Sequence, residues 1–124
     1  MYMLKVQEFL RDHNNNETNN KLKLLTEQYG IKVKEYKDFV GLNYDQIKSP
    51  KTHPITIECR SLKLHRENWN IASRAFDRFF NYGEAPEQYS KFKMKHAVVL
   101  EKADGSLIPV WFNTIDKRWE ISSR

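Results

Sequence analysis

Lys21-Leu22-Lys23-Leu24-Leu25-Thr26-Glu27-Gln28-Tyr29-Gly30-Ile31-Lys32-Val33-Lys34-Glu35-Tyr36 is the stretch in which the chain changes period. Leu22, Leu25 and Tyr29 recur at spacings of three and four, which puts them on one face of a helix. Gly30 stands where a helix C-terminal cap belongs, since glycine enters the left-handed backbone region at no steric cost. Beyond it Ile31, Val33 and Glu35 alternate with Lys32, Lys34 and Tyr36, the period of a half-buried strand. A helix that hands over to a strand at one glycine sets the class as α+β.

Upstream, Met3, Val6, Phe9 and Leu10 have the spacing of a short amphipathic helix over residues 2 to 12. The turn formers His13-Asn14-Asn15-Asn16 and Asn19-Asn20 separate the two helices. Downstream the strand candidates are Phe39 to Tyr44, Ile55 to Leu64, Trp69 to Phe76, Ala97 to Lys102, Ser106 to Thr114 and Arg118 to Ser122. Ser49-Pro50, His53-Pro54 and Gly83-Glu84-Ala85-Pro86 read as turns or loops between them. The expected architecture is two N-terminal helices over residues 1–30, followed by a mainly antiparallel β-sheet over 31–124, all in one domain.

A chain of 124 residues, 40% hydrophobic and 30% charged, is too apolar for disorder and too polar for a membrane protein. No run approaches the roughly 20 apolar residues that span a bilayer. No membrane partner is expected. Met1 to Val6 lacks the form of a targeting segment, because Lys5, Gln7 and Glu8 break the apolar run. The single cysteine, Cys59, rules out an intrachain disulfide and any zinc site built on several cysteines. These features point to a cytoplasmic protein, host cytoplasm if the chain is viral. The formal charge of +5 favours polyanionic partners. Residues 60–95 carry eight basic against four acidic side chains, so most of the excess sits there.

Ala97-Val98-Val99-Leu100-Glu101-Lys102-Ala103-Asp104-Gly105-Ser106-Leu107-Ile108 bears the chemistry. In an alternating strand Val98, Leu100 and Lys102 share one face, so Lys102 projects from apolar surroundings. Desolvation there would lower the amine pKa, as a lysine nucleophile requires. Asp104-Gly105 between two alternating runs is equally a short hairpin signal, in which Lys102 is an ordinary strand-end charge.

Two upstream boxes change that balance: Ile57-Glu58-Cys59-Arg60, and Ile71-Ala72-Ser73-Arg74-Ala75-Phe76-Asp77-Arg78-Phe79-Phe80-Asn81-Tyr82-Gly83-Glu84. With Glu101-Lys102-Ala103-Asp104-Gly105-Ser106 they form an ordered set. This set resembles the N-terminal adenylyltransferase region of ATP-dependent RNA ligases of the T-even bacteriophage RNA ligase 1 type, members of the covalent nucleotidyltransferase superfamily. The resemblance runs from about residue 30 to the end, and Leu42-Asn43-Tyr44 is similar to the family's stretch before its arginine box.

The resemblance implies a reaction in three steps. Lys102 attacks the α-phosphate of ATP to form lysyl-AMP, the AMP passes to a 5′-phosphate RNA end, and a 3′-hydroxyl then displaces it and seals the strand. It places Arg60, Arg78, Glu101, Asp104 and Gly105 at the nucleotide. It implies magnesium or manganese as the metal, held largely by nucleotide oxygens and by carboxylates outside this chain, so no residue here is assigned to a metal. RNA ends are the implied partner, with cleaved transfer RNA the family-based expectation. Three departures stand out. Ser61 replaces the glycine that usually follows the arginine, Leu42 replaces a nucleotide-contacting tyrosine, and Arg78 stands where relatives carry lysine.

Ser123-Arg124 is similar to the start of the family's next basic box and later boxes lie beyond Arg124, so the resemblance implies a partial catalytic domain, weakly active or inactive alone, whose partner is a downstream ligase fragment. The alternative from a different class is a non-catalytic basic module that binds nucleotide or nucleic acid. Phe76, Phe79 and Phe80 read as core, and Trp69, Trp111 and Trp119 as core or sheet-face residues rather than base-stacking groups. His65 and His96 have no ligand partners at metal-binding spacing.

Overall fold

The computed structural model describes residues 2–12, 18–84 and 92–124. It is α+β, with helices first and two antiparallel sheets after them. Helix α1 spans Lys5–Arg11 and α2 spans Thr18–Tyr29. Strands β1 (Lys32–Glu35), β2 (Phe39–Asn43), β3 (Leu62–His65) and β4 (Ile71–Ser73) pair in that order, each antiparallel to the next. A short helix α3 (Pro54–Glu58) lies between β2 and β3, and β5 (Val110–Asn113) pairs with β6 (Arg118–Ile121) as a separate hairpin.

Strand register explains where the core sits. Val33, Leu42 and Leu62 are opposite one another on β1, β2 and β3, and Val40 faces Leu64. That face packs against Leu4, Val6 and Leu10 of the first helical segment and Leu22 and Leu25 of α2. Burial of these aliphatic side chains, at about 1.5–3 kcal/mol each, is the main stabilising term. The alternate residues Lys34, Gly41 and Lys63 form a row on the other face.

Polar latches fix α1 on this core. Glu58, buried at the end of α3, accepts from Lys5 N–H at 2.9 Å and Val6 N–H at 3.0 Å, and so caps a helix more than fifty residues away. Gln7 Oε1 accepts from Leu4 N–H, and Gln7 Nε2 donates to the Trp69 carbonyl. At the other helix, Gly30 takes φ +63°. The 48–49 backbone passes directly over it.

Asp45 organises the turn that follows β2. Its Oδ1 accepts from Ile47 and Lys48 N–H, and Oδ2 pairs with Lys32 at 3.2 Å. The Lys48 and Ile47 amides, then Lys32, hold its carboxyl down to about 2. A folded value below the unfolded 3.8 means that the stabilisation is complete above 3.8 and lost as pH falls through about 2. Urea midpoints are therefore expected to drop across that window, and Asp45→Asn to flatten the drop. An identical acid limb in the variant would refute the assignment.

Several expected strands differ in the structure. Ile55 to Leu64 splits into α3 and β3. Pro54 supplies a preset first helical position, His53 Nδ1 accepts from Ile55 N–H at 3.2 Å, and Ser61 at φ +50° breaks the run. Trp69 to Phe76 shrinks to Ile71–Ser73, because Trp69 at φ +60° belongs to the turn. Residues 97–102 and 106–109 form no ladder, and Met94–His96 is a single 3₁₀ turn. Val98, Val99 and Leu100 are 80%, 94% and 80% exposed, so their alternation has no packing surface to convert it into a strand. Part of the Gly83 to Pro86 turn lies outside the described residues. Among those described, no helix is long and apolar enough to cross a membrane.

Candidate functional site

The backbone brings two distant arginines to one tyrosine, and a third to the phenylalanine beside them. Tyr44, at the end of β2, is buried, and its N–H donates to the Cys59 carbonyl at 2.7 Å. That bond ties the exit of β2 to the exit of α3. After β4 the chain leaves the sheet and returns across the same place, where Arg78 N–H donates to the Ile57 carbonyl at 2.9 Å. The Arg78 guanidinium then lies 4.5 Å from the Tyr44 ring centroid and 5.1 Å from that of Phe80. Arg124 lies 4.3 Å from the same Tyr44 ring, and its Nη2 donates to the Tyr44 carbonyl at 3.3 Å.

Arg60 joins from the turn after α3. Its guanidinium sits 4.7 Å from the Phe79 ring centroid, and Nη1 donates to the Asp77 carbonyl at 3.4 Å. The backbone beside it is pinned by Asn43 Oδ1, which accepts from Ser61 N–H at 2.8 Å. Ser61 holds φ +50°, the region in which glycine is unstrained. This accounts physically for a glycine at that position of the arginine box.

The electrostatic character follows from the partners. Asp77, the nearest carboxylate in sequence, is paired with Arg74 at 2.7 Å, and Glu58 is committed to α1. Aromatic faces hold the guanidinium planes without neutralising them. Arg78 Nη1 is buried with no hydrogen-bond partner. An unpaired charged donor is costly, and a planar cation set of this kind suits phosphate oxygens.

The structure thus gathers Arg60 and Arg78, and adds Tyr44 and Arg124. Sequence reasoning saw Tyr44 only as part of a flanking stretch and Arg124 only as the start of a basic box. Cation–π contact is a tertiary distance with no spacing signature. By contrast, Lys102, Glu101, Asp104 and Gly105 are exposed. Neither Lys102, Glu101 nor Asp104 makes a hydrogen bond or ion pair with any described residue. The apolar face expected around Lys102 is open to solvent, as Val98 and Leu100 show.

The aromatic expectations need correction. Phe76 and Phe79 are 67% and 63% exposed rather than core, because the segment carrying them runs over the surface and Phe79 packs on a guanidinium. Phe80 is half-buried beside Arg78. Leu42 is fully buried between the sheet and the helices. Trp69 and Trp111 are buried, whereas Trp119 is exposed against Phe112.

Comparison with known proteins gives the following. Residues 58–124 match the family model described as RNA ligase. The chain is 32% identical over 116 residues to the "Putative bifunctional polynucleotide kinase/RNA ligase" of Autographa californica nuclear polyhedrosis virus, an alignment covering 86% of this chain and 16% of that protein. It is also 32% identical over 81 residues to the "Putative RNA ligase" of Thermovibrio ammonificans, covering 63% of this chain and 21% of that protein. The chain therefore spans about a sixth and a fifth of these relatives' lengths. No solved structure matches it.

Proposed function

The chain belongs to the RNA ligase family of the T-even phage type, and from that premise we propose that it is the nucleotide-handling N-terminal part of an ATP-dependent RNA ligase acting in RNA repair. The observation that carries the reading is the stacking of Arg78 and Arg124 on Tyr44, with Arg60 held on Phe79, the residue next to Arg78. Phosphoryl-type transfer depends on cations placed around the reacting oxygens, and three preset guanidiniums supply that.

In this reading ATP lies with its phosphates toward the arginines. The Lys102 amine attacks the α-phosphorus, the bond to the bridging oxygen breaks, pyrophosphate leaves, and the amine loses a proton as lysyl-AMP forms. AMP then moves to the 5′-phosphate of an RNA, and a 3′-hydroxyl of a second end, transfer RNA included, expels it. Glu101, Asp104 and Gly105 border the nucleophile. For the first step the 97–108 segment has to close toward the arginine cluster, which would cover its exposed apolar side chains.

Among the described residues no group of three His, Cys, Asp or Glu could hold the divalent ion that the resemblance implies. Magnesium or manganese would arrive on the triphosphate.

The test is label transfer from ATP carrying radioactive α-phosphate, in the presence of magnesium or manganese. We expect weak, acid-labile and alkali-stable label on the chain, absent in Lys102→Ala and reduced roughly tenfold or more in Arg60→Ala and Arg78→Ala, the scale of one lost charge-assisted hydrogen bond. RNA sealing by the chain alone is not expected, and a downstream ligase fragment should restore it. Label that survives Lys102→Ala, or a wild-type chain that stays unlabelled even with the downstream ligase fragment supplied, would overturn the reading.

A further inference from the structure

The sheet face turned away from the helices carries a row that the arginine cluster does not use. Lys34 on β1, Gly41 on β2 and Lys63 on β3 are direct cross-strand neighbours. Gly41 leaves a gap between two long cations, and the Tyr36 ring occupies it: a Cβ on Gly41 would stand 3.6 Å from Tyr36 Cε2. Lys34 Nζ lies 5.4 Å and Lys63 Nζ 5.8 Å from that ring's centroid. Tyr36 as a whole remains 40% exposed.

These groups line a cleft of about 560 Å³ between the sheet and the β5–β6 hairpin. Its basic groups are Lys34, Lys37, Lys63 and Arg124, and its acidic groups are Asp38, Asp116 and Glu120. Asp116 and Glu120 are already engaged by Arg118. The two lysines bordering Tyr36 have no carboxylate within ion-pair distance among the described residues, and Lys63 feels the Glu120 charge only at longer range.

We propose that this row is a binding site for single-stranded RNA, taking one base on the Tyr36 ring and the adjoining phosphates on Lys34 and Lys63. Stacking on an exposed aromatic flanked by cations is how single strands are held without reading their sequence. Both ammoniums sit near the ~6 Å limit of cation–π contact, so the Tyr36 ring releases them at small cost when phosphates arrive. Packing alone accounts for less. An aromatic over a strand glycine fills space, and a lysine on the edge strand β1 discourages edge pairing. Neither explains Lys63 on an interior strand leaning over the same ring. The choice of RNA as the polymer rests on the ligase reading.

The test is a fluorescence-anisotropy titration of a short, unstructured, labelled RNA with the whole chain at several salt concentrations. Tyr36→Ala should weaken binding about 5- to 100-fold, while Tyr36→Phe should stay within about twofold. Lys34→Ala and Lys63→Ala should each reduce the slope of log affinity against log salt by about 0.7. Wild-type affinity in Tyr36→Ala, together with a lowered urea midpoint, would make the ring a sheet filler and overturn the proposal. So would unchanged salt slopes in both lysine variants, or no RNA binding by the wild type. Self-labelling at Lys102 uses no RNA, so its failure counts against the ligase reading and leaves the anisotropy to judge this site.

Discussion

Glu58→Ala is expected to destabilise the chain by about 2–4 kcal/mol, the cost of removing two hydrogen bonds to a charged acceptor and leaving one part-buried and one buried donor without partners. The Lys5 and Val6 amides belong to the first turn of α1, where no intrahelical acceptor exists. Val6 is fully buried, so water cannot take over at its amide. Leu4, at the N-cap, has no side-chain acceptor of its own, and the carboxylate also opposes the positive end of the helix. Glu58→Gln should recover about half of the loss, since its amide oxygen accepts but its amide nitrogen does not. Urea unfolding measures both, and a change within about 0.5 kcal/mol for alanine would refute the capping account. The effect reaches the functional cluster, because the carbonyls on either side of Glu58, on Ile57 and Cys59, hold the Arg78 and Tyr44 amides.

This long-range cap also shows why α3 escaped sequence reading. Five residues are too few for a helical period to show, and Ile55, Ile57 and Cys59 alternate as a strand would. What favours helix is His53 and Pro54 at its start and the demand for Glu58 at a helix fifty residues upstream. The period change at Gly30 was readable because both signals there are local. The 97–108 run failed in the opposite way, with correct alternation and no partner surface to use it.

The candidate site divides along the same line. Arg60 and Arg78 were accessible through ordered boxes, which encode residue type and order. Tyr44 as a shared platform, Arg124 beside it, and the Lys34, Tyr36 and Lys63 row all depend on register and on chain crossings. For the row, the one local sign was a glycine, Gly41, between Val40 and Leu42 inside a strand.

Gly30→Ala should cost about 2–4 kcal/mol, and here two penalties add. The residue sits at φ +63°, where a Cβ carries a penalty of roughly 1–2 kcal/mol. That Cβ would also lie 2.8 Å from the Lys48 carbonyl carbon and 2.9 Å from Ser49 N. Both are backbone atoms, and they cannot swing aside as a side chain would. The lower entropy of the unfolded alanine chain returns only about 0.4–1 kcal/mol. Gly30→Asn separates the terms, since asparagine tolerates the left-handed region but still brings the Cβ; it should recover no more than about 1 kcal/mol. Gly41→Ala is the control, because its nearest neighbour would be at an ordinary 3.6 Å, and it should change stability by less than about 1 kcal/mol. If Gly30→Ala matched that control, the close approach would be energetically empty. If it costs what the contact implies, the displaced segment is the turn that Asp45 ties together directly after Tyr44. The helix terminus and the arginine platform would then yield to the same substitution.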